Sequence, residues 1–439
     1  MNSSEHSPRR TSHPFRWFPE FLSFGRRRMR AQGRLLACSL VVGVVAGLGG
    51  IVFTAAGQLV AGVTLEGPAG YHPPGPRAEV RFPWIPEWDG TLNLALLVVL
   101  PVVGGLLSGG LVFRFAPEAE GHGTDAAIAA YHEHGGYIRP RVPLIKLVAS
   151  ALTIGTGGSG GREGPIAQIG AGFGSVLGGI LKLRAADRRV LVAAGMGAGV
   201  AAIFRAPLAG ALFAAEILYC SPEFEPEVIL PAGLASVTSY CTFGVAAQAL
   251  GGTSDPWRPL FETPASLVFT SAWELLPYTL LAFVVVVLSM IYVRTFYAVT
   301  DAFHHLPLPR SLRPAVGAGL TGLVGVGLYL ATGRQAAALS VMSYGYGVLQ
   351  EGLLSESALP AGLLLAVACG KIVTTSLTIG SGGSGGVFGP SMVIGGCGGA
   401  SGRSSTGSGL GWRRTRGPLS SSAWPGSSPR RPRPPSRRS

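Results

Sequence analysis

The chain has 439 residues, of which 47% are hydrophobic and only 13% charged, with 66 glycines. A soluble chain carries about a quarter charged residues, so this composition speaks against a soluble enzyme and for an all-α polytopic membrane protein. The formal net charge of +13 does not signal nucleic acid, because residues 401–439 alone hold nine Arg and no acid.

In chain order, residues 1–33 read as a basic cytoplasmic segment. The leader through Arg34 carries eight Arg against two Glu, which places the N-terminus in the cytoplasm by the positive-inside rule. No cleavable secretory signal is expected, since the first apolar run begins only after these polar and basic residues. Apolar runs follow at residues 35–63, 92–115, 275–293, 315–331 and 361–375, each long enough, or nearly so, for a hydrocarbon core that needs about 20 residues. Residues 190–218 and 228–250 add two runs broken by Gly and Pro. The five cysteines, Cys38, Cys220, Cys241, Cys369 and Cys397, show no metal-ligand spacing and read as small buried hydrophobes. No metal site, no cofactor and no nucleophile–base pair emerges, so an enzyme is not expected.

An internal repeat organises the chain. Residues 146–165 read KLVASALTIGTGGSGGREGP and residues 371–390 read KIVTTSLTIGSGGSGGVFGP, identical at 13 of 20 positions without a gap. Lys, Thr, Ile, Ser and Pro coincide as well as Gly, so the match is not a coincidence of glycines. Paired, Gly-interrupted apolar segments in two halves of a membrane protein point to a duplicated transporter fold with its site at mid-membrane. A helix that starts after such a stretch aims free N–H groups and its positive dipole end at the gap, which binds anions without a buried Lys or Arg. A phosphate-binding loop is not supported: GTGGSGGREGP lacks the Gly-Lys-Ser/Thr ending, and no βαβ pattern surrounds it.

Gly161-Arg162-Glu163-Gly164-Pro165 and Gly386-Val387-Phe388-Gly389-Pro390 resemble two signature motifs of the chloride channel and chloride/proton exchanger (CLC) family. A third signature falls at Gly121-His122-Gly123-Thr124-Asp125. The resemblance runs over residues 34–400 and implies an inverted-repeat membrane domain that works as a homodimer, with one pathway for chloride and other small anions in each subunit. It implies Glu163 as the gate, a carboxylate that competes with the anion and swings away when protonated or displaced. It also implies an anion site made by His122, Gly123, Arg162, Glu163, Gly164, Val387, Phe388 and Gly389, with Phe388 narrowing the pore.

Three departures stand out. His122 occupies the place of a Ser that donates to the central anion, so either the imidazole or the backbone amides of His122 and Gly123 carry that contact. Exchangers of the family hold an inner proton-relay Glu. In APLAGALFAAEILY, Glu216 fits the structural acid before it and the relay position falls on Ile217, a hydrocarbon that carries no proton. A Tyr that completes the central site comes from later helices, and residues 391–439 contain none. The expected function is a passive or uncoupled chloride channel gated by Glu163. The alternatives are a chloride/proton antiporter and, from another class, a non-conducting scaffold or remnant.

From about Gly398 the chain turns polar and rich in Ser, Arg and Pro, which reads as an out-of-frame basic tail over residues 401–439. Codons started one base earlier allow residues 423–438 to read GMAGFFAAAAKAPVST, which aligns with GMGAGVAAIFRAPLA at residues 195–209. The expectation is therefore that the last membrane helices of the second repeat are absent. The protein is expected in the cell membrane, multi-pass, in contact with lipid and with no nucleic-acid partner.

Overall fold

The computed structural model describes residues 17–88, 90–218, 226–252, 255–262, 272–354 and 359–406. Their regular structure is helical; the only pairing of extended backbone among them is one isolated bridge. The first half holds α1 (Trp17–Ala61), α2 (Leu94–Phe115), α3 (Thr124–His132), α4 (Arg141–Gly155), α5 (Glu163–Ile180), α6 (Ala185–Phe204), α7 (Pro207–Ile217) and α8 (Pro226–Ala249). The second half holds α9 (Leu275–His305), α10 (Arg313–Ala331), α11 (Tyr346–Leu353), α12 (Ala361–Gly380) and α13 (Phe388–Thr406). α1 runs without a break through residues 33 and 34, and α13 runs past residue 400. The proposed shifted frame falls mostly on residues 407–439, outside the described residues.

Six helical stretches among the described residues are long and apolar enough to cross a bilayer: Gln32–Glu66, Leu94–Phe115, Glu227–Ala249, Tyr278–His305, Arg313–Ala331 and Ala361–Gly380. The run at residues 190–218 is not one span but α6 and α7. The helix breaks at Arg205, which takes a left-handed conformation (φ 56°), and Pro207 opens α7 at a position where its missing N–H costs nothing. The Arg205 guanidinium pins that corner by donating to the carbonyls of Ala78 (2.6 Å) and Arg258 (3.1 Å). α9 continues to His305, twelve residues beyond the apolar run that announced it. Cys38 and Cys397 are buried as expected, but Cys241 and Cys369 lie exposed on the outer faces of α8 and α12. Cys220 lies outside the described residues.

The repeat seen in the sequence is a local twofold in space. Gly161 and Gly386 occupy the same position in the two copies, and they form an antiparallel bridge with reciprocal N–H···O bonds of 2.7 Å. Around it, Ser159 bonds Thr375 and Ser384 bonds Ser150, each at 2.9 Å, and these two contacts exchange under the repeat. So do Thr153 with Ser108 and Thr378 with Thr321, each at 2.8 Å, which makes α2 and α10 counterparts. Buried hydroxyls at mid-membrane depth need such partners, because no water is there to supply them.

Two main apolar cores form, the first within the first half and the second from residues of both halves. One gathers around Phe53, Ile166, Ile169, Val192 and Met196, the other around Leu65, Leu97, Leu339, Tyr346 and Val367. α5 and α6 meet through glycine: a Cβ at Gly170 would strike the carbonyl of Gly195, and a Cβ at Gly195 that of Gly170. Small residues let the two backbones touch, a frequent basis of helix association in membranes. α9, the counterpart of α1 in chain order, is the outlier. Only 6% of its apolar stretch is buried, against 50% for the stretch in α1. α1 packs on α6 and α8, and the described residues of the second half hold no counterpart of either.

Candidate anion-binding site

Four helices begin around the bridge. α5 starts at Glu163 and α13 at Phe388, each two residues after its bridge glycine. α3 starts after Gly123 (φ 84°) and α11 after Gly345 (φ 74°), both left-handed N-caps that suit glycine. The Gly-rich motifs are in contact. Gly385 N–H donates to the Gly121 carbonyl (3.2 Å), and its counterpart, Gly160 N–H, donates to Ser343 (3.3 Å). At Gly164 a Cβ would strike the His122 carbonyl and come within 3.1 Å of Gly386 Cα. The three sequence motifs therefore close on one spot, with helix N-termini facing it.

Two buried lysines brace the loops that lead into α3 and α11. Lys146 donates to the carbonyls of Ala119 (3.0 Å) and Gly121 (2.7 Å). Lys371, at the same repeat position, donates to Ser343 (2.7 Å), with Ser340 and Val341 at 3.4 Å. Both are fully buried. Their placement explains why each copy of the repeat opens with Lys, a coincidence visible in the sequence whose purpose was not.

Glu163 is 1% exposed. Its Oε2 accepts from the Gly389 N–H at 3.1 Å, and its Oε1 accepts from the Tyr346 hydroxyl. The carboxylate thus spans from the start of α5 to the start of α13. Arg162 turns elsewhere: its guanidinium pairs with Glu79 at 2.6 Å and lies 5.5 Å from the ring centroids of both Tyr344 and Tyr346. Neither Tyr346 nor Glu79 was marked by the sequence. Tyr346 lies in an eight-residue helix too short for a periodicity signal, and Glu79 lies in an irregular loop.

Both ring nitrogens of His122 are engaged by the first turn of α3. Nδ1 is 2.7 Å from Thr124 Oγ1 and Nε2 is 3.0 Å from Asp125 Oδ2. Phe388 is 45% exposed and meets Phe204 and Phe213 edge-on, each at 6.1 Å between centroids. The Val387 carbonyl faces the Tyr292 hydroxyl at 3.5 Å. Ile217 ends α7 and packs against the first apolar core, while Glu216 beside it is exposed. No group of three or more His, Cys, Asp or Glu suited to a metal ion occurs among the described residues.

Comparison with known proteins agrees with this architecture. The profile of the voltage gated chloride channel family matches residues 104–405, more than half of the chain. The protein MJ0305 of Methanocaldococcus jannaschii is 28% identical over 301 residues, which cover 68% of this chain and 69% of that protein. The H(+)/Cl(-) exchange transporter ClcA of Cronobacter sakazakii is 28% identical over 367 residues, covering 82% and 71%. The crystal structure of a slow cyanobacterial Cl-/H+ antiporter superposes with a TM-score of 0.62 at 24% identity, covering 82% of this chain and 77% of that one, which bears on fold alone. The chain belongs to the voltage gated chloride channel family, CLC, and is a multi-pass membrane protein.

Proposed function

We propose that the protein is a passive pathway for chloride and similar small anions, gated by the Glu163 carboxylate. The observation that carries this reading is the seat of that carboxylate, buried against the Gly389 N–H where helix N-termini converge. Such a place favours negative charge, and a side chain that fills it competes with any anion passing through. Backbone amides of His122, Gly123, Gly164, Val387, Phe388 and Gly389 serve as the anion's ligands. The His122 ring contributes through its loop rather than by direct donation, since its nitrogens are taken by Thr124 and Asp125. Arg162 acts through its pairing with Glu79, and Phe388 with Phe204 and Phe213 sets the width of one mouth. We take the working unit to be a homodimer with the N-terminus in the cytoplasm.

Ile217 favours passive permeation, because a hydrocarbon offers no site for a proton on its way to Glu163. The second reading, chloride/proton exchange, is favoured by the name of the Cronobacter relative. Purified protein in liposomes with a chloride gradient separates the two. Passive permeation leaves the external pH unchanged once the membrane potential is shunted. Proton movement in fixed ratio to chloride would replace the channel reading with exchange.

A further inference from the structure

We propose that Tyr346 is the latch that holds the Glu163 carboxylate in its blocking seat, a positioning residue for the gate; this rests on the gate reading above. Three observations carry it. The hydroxyl donates to Glu163 Oε1 while Gly389 N–H serves Oε2, so each carboxylate oxygen has its own donor. A hydrogen bond to an ionised acceptor is about twice as strong as a neutral one, and here both partners are buried, at 1% exposure each.

The ring that carries the hydroxyl is fixed from several sides. Tyr344 stacks on it at 5.8 Å and 20°, Phe261 meets it edge-on at 5.6 Å, and the Arg162 guanidinium sits 5.5 Å from its centroid. Arg162 is itself tied to Glu79. The backbone beneath is held as firmly: Gly345 takes the left-handed conformation just before the helix, and Lys371 grips the Ser343 carbonyl at 2.7 Å. The hydroxyl position is therefore imposed by its surroundings and does not merely follow the glutamate.

The repeat gives the third observation. Tyr346 opens α11 as Thr124 opens α3, each after a left-handed glycine in a loop braced by the equivalent lysine. In the first half that position directly follows His122 and Gly123 of the proposed anion site. The second half uses it to place a phenol on the gate. A carboxylate oxygen concentrates charge that chloride spreads over a larger sphere, so the directed hydroxyl favours the glutamate over the competing halide.

The test is chloride efflux from liposomes with four proteins: wild type, Tyr346→Phe, Glu163→Ala and the double variant. The latch predicts that Tyr346→Phe raises flux about tenfold, roughly what one hydrogen bond to a charged group is worth, and lowers the chloride concentration giving half-maximal flux. In the Glu163→Ala background the same change should move flux less than about twofold, because coupled residues are not additive. Equal effects in both backgrounds, or none in the wild-type background while Glu163→Ala alters flux, would overturn the latch and leave the gate standing. A flux that ignores Glu163→Ala would overturn both. Should Tyr346→Phe not yield folded protein, fluorotyrosine at position 346, similar in shape and a stronger donor, is expected to lower flux; unchanged flux there counts against the latch.

Discussion

Replacing Gly164 by Ala adds one methyl group where the three signature motifs touch. That Cβ would overlap the His122 carbonyl oxygen and press on Gly386 Cα at 3.1 Å. Both obstacles are backbone, so neither can rotate aside. Relief requires the loop of His122 and Gly123 to move by about 1 Å, since packed interiors hold no spare volume of that size. A shift of that order takes an amide out of hydrogen-bonding range of an anion it had been placed to bind. With overpacking worth about 1–3 kcal/mol and each 1.4 kcal/mol worth about tenfold, chloride affinity should fall by about fivefold to a hundredfold, read by isothermal titration of the purified protein. Gly179→Ala on the same helix is the control, because its Cβ meets nothing within 4 Å, and it should bind like wild type. Equal chloride affinity of Gly164→Ala and Gly179→Ala would refute the placement of the anion site at this contact.

Two further outcomes concern stability. Gly170→Ala, which forces a methyl into the Gly195 carbonyl where α5 crosses α6, should cost about 1–3 kcal/mol and lower the thermal unfolding midpoint in detergent; an unchanged midpoint would mean that the helices separate freely. Arg162→Gln and Glu79→Gln should each lower that midpoint, with the double variant falling short of the sum. Their side chains are 5% and 19% exposed, and contacting charges of this kind couple by about 0.5–3 kcal/mol. Strict additivity would show that the pair contributes nothing.

The membrane class, the duplication and the meeting of the Gly-rich motifs were legible because each leaves a mark in local composition. Long apolar runs gave the spans, and 13 shared positions gave the twofold that the Gly161–Gly386 bridge expresses. That residues 190–218 form a broken run was legible from Gly and Pro, but the exact corner at Arg205 was not, since a left-handed Arg carries no sequence signature of the kind Gly does. α3 and α11 were invisible as counterparts because TDAAIAAYH and YGVLQEGL share geometry at their starts but almost no residues. For the same reason Tyr346 went unnoticed while the lysine that braces its loop stood in plain view. His122 stood between two readings in the sequence. The positions of Thr124 and Asp125 in the first turn of α3, one on each ring nitrogen, are what three-dimensional geometry adds.

Chloride efflux through Glu163→Ala set against wild type, in liposomes over a range of pH, tests the account most directly. A carboxylate gate predicts that the variant conducts more than wild type at neutral pH and loses the rise of flux on acidification that wild type shows. Identical flux and identical pH profiles would contradict the gate, and absence of flux from both would favour a non-conducting scaffold.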